Sequence, residues 1–409
     1  MINYLSNPAV SARVILIFID RVVEKSIVAM MTIVISLQFG VERATYALVA
    51  SALLTVFGSI AIDAVARKID KWAIVLVSEV VRGALLLIFA VAISFYPNTY
   101  SIYFLFLVFV SVLGGISATL SESLLIEMTK NIDRAALYSL IYWVRNAALI
   151  LGPLLVMLVY PSGYESYIGV IGVLSVVLTG VLFLWCKVPV TLNAEKSNTG
   201  SLAESLHVAS KDHRFILFLI ASTIMSTIAL MPSHYIAVRL AIDFSSIPIT
   251  MYHWAFTLSG VEMSNLMRSA NSLCVLVLTL PVHYLKPKLS EMQLLVSGML
   301  LFGIGFTMAS TSSGFFVLLA AVFIYSLGAT LFVPIHFSIF ARLCNDEHRN
   351  IYVAVSEQDI RVAALLSALS LVFVNVISSP WVASLVALLS ALTLWLYQRV
   401  LRSVQQDAL

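Results

Sequence analysis

Charge is what this sequence has least of. Only 11% of its 409 residues are Asp, Glu, Lys or Arg, and 61% are hydrophobic. A water-soluble domain is about a quarter charged and just under half apolar. So little charge excludes a surface that faces water all round. The apolar excess recurs from end to end, which excludes a soluble body on a single anchor; lipid has to replace the water. Cysteine is equally scarce. Cys186, Cys274 and Cys344 are odd in number and far apart, which excludes a disulfide framework and a zinc site and predicts reduced, buried thiols. Net charge is nearly absent: +3 excludes nucleic acid as a partner. The sequence also lacks a Gly-x-x-x-x-Gly-Lys-Ser/Thr phosphate loop, metal-ligand spacing and a nucleophile triad. Direct ATP drive, cofactors, metals and enzymatic chemistry are therefore not expected; the charges from Asn345 to Arg349 read as a loop cluster. A cleavable signal peptide is not expected either, because the first apolar segment carries Asp20, Arg21, Glu24 and Lys25 and no small-x-small pattern follows it.

What is present is a series of apolar runs near twenty residues long, without the alternation of a barrel strand. Twelve spans are expected near 14–38, 44–62, 72–96, 101–126, 136–160, 165–187, 215–239, 263–285, 291–310, 315–341, 351–378 and 381–399, each long enough to cross roughly 30 Å of hydrocarbon. The eighth is the least regular, and Ile242 to Leu266 reads as a long outer loop with a short helix at the interface. Lys and Arg set the orientation. With the N-terminus inside, the inner loops hold Arg67, Lys68, Lys71, Lys130, Arg134, Lys187, Lys196, Lys211, Arg214, Lys286, Lys288, Arg342, Arg349, Arg399 and Arg402, and the outer loops little beyond Arg43 and Arg239. Both termini are then cytoplasmic, as in a multi-pass protein of a bacterial cytoplasmic (inner) membrane. The polar stretch 188–213, with Asn193 to Ser201 of flexible composition, divides the chain into a six-helix bundle at 1–187 and another at 214–409.

The halves repeat weakly. Span five opens on Asp133 and Arg134 and reaches Arg145 to Leu149; span eleven opens on His348 and Arg349 and reaches Arg361 to Leu365. The loop after span two runs from Ser59 through Asp63 to Arg67 and Lys68, a small residue, an acid four later and a base four after that. It resembles the signature loop of the major facilitator superfamily, with Ser59 and Ala66 in place of glycines and Ala64 in place of a base. The resemblance implies a gating role for Asp63 and Arg67, an acid able to hold a helix N-terminus or a base and keep one face closed. Gly152 and Pro153 in span five are similar to a reduced drug-antiporter motif and imply a structural or gating role there.

The wider resemblance is to LmrP-type multidrug transporters of the drug:proton antiporter branch. It is carried by Tyr138 to Trp143 with Asn146 and Ile150 to Gly152, by Lys211 to Phe215, and by Tyr325 to Gly328 with Pro334. It implies an all-α membrane protein of twelve transmembrane helices in two six-helix repeats, working by alternating access around a midplane cavity. The departures are specific. Ile141, Ala329 and the Ser233–His234 pair stand where that family has acids, while Asp63 and Glu127 remain. Protons, if they drive this protein, need other carriers.

Ionisable groups inside a membrane are expensive and functional by default. Asp20 and Glu24 are four apart in span one, and Arg21, three before Glu24, is placed to pair with it. Glu357 and Arg361 share a face of span eleven, with Asp359 turned elsewhere; span three carries Glu79 and Arg82, span four Glu122 and span five Arg145. Asp20, Arg21, Glu24, Glu122, Glu357 and Arg361 are the candidates for proton coupling or for the cavity, with a static ion pair as the plainer reading of span one. Arg145 and Arg361, at repeat-related places, suit paired structural or gating roles. Of the scattered histidines, His336 is the one to test for protonation. The expected function is a secondary active transporter, a monomer in the bilayer, that exports small amphiphilic compounds against a proton or other ion gradient. The alternative is a dedicated exporter of a polar metabolite such as a siderophore or metallophore, which the mixed charges of spans one and eleven would suit.

Overall fold

A computed structural model of the chain describes residues 8–65, 71–128, 134–160, 163–185, 209–251, 254–285, 288–344 and 349–406. The chain divides into two compact units, Met1–Glu195 and Lys196–Leu409. In the first, the described helices are α1 (Pro8–Phe39), α2 (Val41–Val65), α3 (Lys71–Phe95), α4 (Tyr100–Met128), α5 (Arg134–Val159) and α6 (Tyr164–Trp185). In the second they are α7 (His213–Leu230), α8 (Tyr235–Asp243), α9 (Gly260–Leu285), α10 (Glu291–Thr311), α11 (Phe315–Leu343), α12 (Arg349–Leu369), α13 (Phe373–Val376) and α14 (Ser379–Gln406). Short 3-10 turns join α7 to α8 and α12 to α13, so each pair runs on as one span.

Among the described residues ten spans are long and apolar enough to cross a membrane. The other two long helices are α5, apolar over Trp143–Val159, and α1, whose centre holds the charges of span one. Helices dominate because a backbone in lipid must satisfy its own N–H and C=O groups. Ends are closed locally. Asp212 accepts from the backbone N–H of Arg214 and Phe215 at the start of α7, and Ser290 and Gln293 form a capping box on α10.

Within the first unit, α3 packs on α4 and α6, and α1 on α4 and α5. This brings the middles of α1, α3 and α4 together. Within the second, α7 packs on α12 and α14, α9 on α11, and α10 on both α11 and α14. The α10–α11 seam is very close. A Cβ added at Gly328 would lie 2.4 Å from the Phe302 nitrogen, and one at Gly298 2.8 Å from that of Phe332. Small residues let two membrane helices approach this far.

Two expectations change. Among the described residues of the stretch around Ile242 to Leu266, an antiparallel hairpin stands in place of the interfacial helix, β1 (Ile247–Met251) with β2 (Trp254–Leu258), in the register Ile247↔Leu258 to Met251↔Trp254. Ile, Thr, Trp and Phe at alternating positions favour a pleated ribbon over a helix. The next helix then starts at Gly260, where any Cβ would sit 1.8 Å from the Leu240 carbonyl oxygen. Cys274 and Cys344, expected to be buried, are only partly buried. Cys186 and most of 188–213 lie outside the described residues, as does Arg67; the side chains of Asp63, Glu122 and Glu357 do too.

Candidate functional site

The site is built where α1, α3 and α4 meet. Asp20 interrupts an apolar stretch of α1 and is 5% exposed; Glu79 and Arg82, one turn apart on α3, are 0% and 1% exposed. Arg82 holds both acids. Its Nη1 donates to Asp20 Oδ1 at 2.5 Å and its Nη2 to Glu79 Oε2 at 2.5 Å. The i, i+3 spacing accounts for the Glu79 contact; the Asp20 contact crosses between helices. Gly114 of α4 leaves room for this, since a Cβ there would lie 2.8 Å from Arg82 Nη1. Ser117, buried one turn further along α4, lies beside the Glu79 carboxyl. Glu79 Oε1 itself accepts no hydrogen bond among the described residues.

Three fully buried charges thus sum to −1. The other charges of span one face differently. Glu24 pairs with Arg21 at 2.8 Å and with Lys25 at 2.7 Å, all three partly exposed, summing to +1. Asp20 and Glu24 therefore do not act as the same-face pair that four-residue spacing suggested. Asp20 turns inward to α3, and Glu24 stays in the pairing along α1. The sequence alone placed Glu79 and Arg82 in span three without connecting them to Asp20. Their signal was there, an acid and a base three apart in an apolar run, but nothing along the chain says which neighbouring helix they meet.

In the second unit, Asp359 of α12 faces α7 and accepts a hydrogen bond from the Ser222 hydroxyl. Arg361 donates to Gln358 at 3.2 Å on its own helix. His336 Nδ1 and the Tyr397 hydroxyl are 2.8 Å apart, and the His336 ring stacks on Phe218 at 4.9 Å. His234 bonds Ser367 at 2.9 Å. Arg239, expected in an outer loop, is instead buried in α8, where it donates to the carbonyls of Ala309 at 3.0 Å and Ser312 at 2.5 Å. It closes the carbonyl end of α10, where a cation complements the helix dipole. Gly152 and Pro153 are buried in α5, with Val22 and Ser26 of α1 against Gly152. Arg145, partly buried, is not part of the triad.

Among the described residues no group of His, Cys, Asp and Glu could hold a metal ion.

The Major Facilitator Superfamily profile matches residues 14–261. A curated relative is a Na(+), Li(+), K(+)/H(+) antiporter of Planococcus maritimus, 20% identical over 349 residues, 82% of each chain. Among solved structures, the fold is similar to that of the nucleoside transporter NupG, with TM-score 0.71 at 13% identity, covering 97% of this chain and 99% of that one. It is also similar to a POT family transporter in complex with 5-aminolevulinic acid, with TM-score 0.71, 13% identity and 97% and 96% coverage.

Proposed function

We propose that this chain, which belongs to the Major Facilitator Superfamily and is a multi-pass membrane transporter, is driven by protons that bind at the Asp20–Arg82–Glu79 triad and exports small amphiphilic organic compounds by alternating access. One observation carries the coupling: Glu79 is 0% exposed, shares the Arg82 guanidinium with Asp20, and among the described residues keeps Oε1 without a donor. An unsatisfied buried acceptor costs about 1–3 kcal/mol, more when charged. A proton on Oε1 removes the charge and turns the unsatisfied acceptor into a hydroxyl. The triad then stands neutral, two acids with one proton facing one guanidinium. Asp20 is the candidate that the sequence reading shares with this site; Glu79 and Arg82 join it.

The export direction and the drug:proton branch rest on the resemblance of the motifs. The same reading puts both termini in the cytoplasm of a bacterial cell, makes 188–213 a linker between two six-helix bundles, and has the protein work as a monomer. A second reading, exchange of an alkali cation for protons, is favoured by the Planococcus relative.

The test is transport in proteoliposomes with an imposed pH gradient. The panel is a cationic dye, a neutral lipophilic drug, a metal-chelating metabolite, and Na+, Li+ and K+ salts. Gradient-driven movement of the dye is expected, with Glu79→Gln and Asp20→Asn losing gradient drive while retaining gradient-independent exchange. Undiminished gradient-driven transport in both variants removes the triad from coupling. Proton flux elicited by alkali salts alone replaces the organic substrate with a cation.

A further inference from the structure

We propose that Asp359 is a second proton-binding site, built into the second unit and held in place by Ser222. The carboxylate lies in a membrane-spanning segment, Gln358–Val376, where an unpaired charge is expensive and marks ion or proton pathways. The triad of the first unit offsets that expense with Arg82. Asp359 has no such partner: among the described residues no cation pairs with it, and its carboxyl is held by the Ser222 hydroxyl and the Ile360 backbone N–H.

From α7 come Ser222, 1% exposed, and Met225, whose sulfur is 4.0 Å from the Tyr397 hydroxyl. From α14 comes Tyr397, 0% exposed and near enough to sense both Ser222 and the charge of Asp359. From α11 comes His336, 2.8 Å from Tyr397. On α12 itself, Gln358 and Arg361 are bonded to each other at 3.2 Å. The four polar groups also share a depth. Ser222, Asp359, His336 and Tyr397 lie about 10–15 Å along their helices from the ends at His213, Arg349, Leu343 and Gln406, at 1.5 Å rise per residue. Tertiary packing has gathered a carboxyl, two hydroxyls and an imidazole at one level of the bundle.

Ser222 donates to Oδ2, and the proton is placed on the other oxygen, Oδ1. The proton comes from water and returns to it; no bond other than O–H forms or breaks. Ser222 keeps its donation in both states, which makes it a positioning residue. This site is independent of the triad: it binds its proton whether or not Glu79 does.

Infrared difference spectra of the purified full chain in lipid, taken across a pH titration and after H/D exchange, test it. The wild type should show the C=O band of a protonated carboxyl that Asp359→Asn lacks and Glu79→Gln retains. Ser222→Ala should move that band to higher frequency, because the carbonyl loses its donor. In proteoliposomes the number of protons moved per substrate should halve in Asp359→Asn. Spectra of folded Asp359→Asn that superimpose on the wild type overturn the proposal. If that variant does not fold, an unmoved band in Ser222→Ala overturns it.

Discussion

Arg82 is the residue on which the first unit's interior turns. Removing one member of a buried ion pair leaves an uncompensated charge, at about 3–5 kcal/mol. Arg82→Leu should therefore lower the thermal stability of the purified protein by that order, with two carboxylates stranded. Neutralising all three residues together, as Asp20→Asn, Glu79→Gln and Arg82→Leu, should recover much of the loss, because neighbours in one network are not additive. A triple variant as unstable as the single one would contradict this. Gly114 tests the same network without touching a charge. In Gly114→Ala the new methyl would meet Arg82 Nη1 at 2.8 Å, so the guanidinium must shift off Asp20. A charge-assisted hydrogen bond contributes about 1.5–3 kcal/mol. Gradient-driven transport should thus fall by roughly tenfold or more, while gradient-independent exchange survives.

Elements in this protein are held by how closely their backbones approach. In the α10–α11 seam a Cβ at Gly328 would lie 2.4 Å from the Phe302 nitrogen, closer than a side chain can approach backbone. Overpacking a tight contact costs about 1–3 kcal/mol. Gly328→Ala should lower the unfolding temperature accordingly, whereas Gly180→Ala on α6, with nothing within 4 Å, should leave it unchanged; the two melts side by side decide the point. Arg239 belongs to this scale as well. It ties α8 to the carbonyl end of α10, so what the chain order presents as a loop charge is a fastener between two helices.

At the scale of the whole molecule, the charge asymmetry of the loops predicts which side each one faces. Cysteines placed at Gly163 and at Lys196, in a background without the native thiols, should react differently with a membrane-impermeant reagent in intact cells. Position 163 should be labelled directly, and position 196 only after permeabilisation. The reverse pattern would invert the topology and, with it, the direction in which the triad takes up its proton. With the triad as the coupling site and Asp359 as a second proton site, gradient drive should survive at reduced stoichiometry when Asp359 alone is neutralised, and be lost when the triad is.

The membrane class and most span positions were legible from the sequence because lipid imposes a length and a composition on every spanning helix, and both are written along the chain. The superfamily was legible from the short loop motif running from Ser59 through Asp63 to Lys68. Asp20 could be singled out for the same reason that any acid in an apolar run can. Its partner could not. Asp20 and Arg82 are 62 residues apart, and which of several helices faces a given side chain depends on packing between α1, α3 and α4. The four-residue spacing of Asp20 and Glu24 suggested one face and one role; the folded chain sends one to Arg82 and leaves the other with Arg21 and Lys25. Asp359 shows the same division. Local spacing turned it away from Glu357 and Arg361, and only the approach of α7 supplied Ser222. Sequence alone determined that charges would lie in the membrane; tertiary structure decided which of them meet, because helix contacts join residues far apart in the chain.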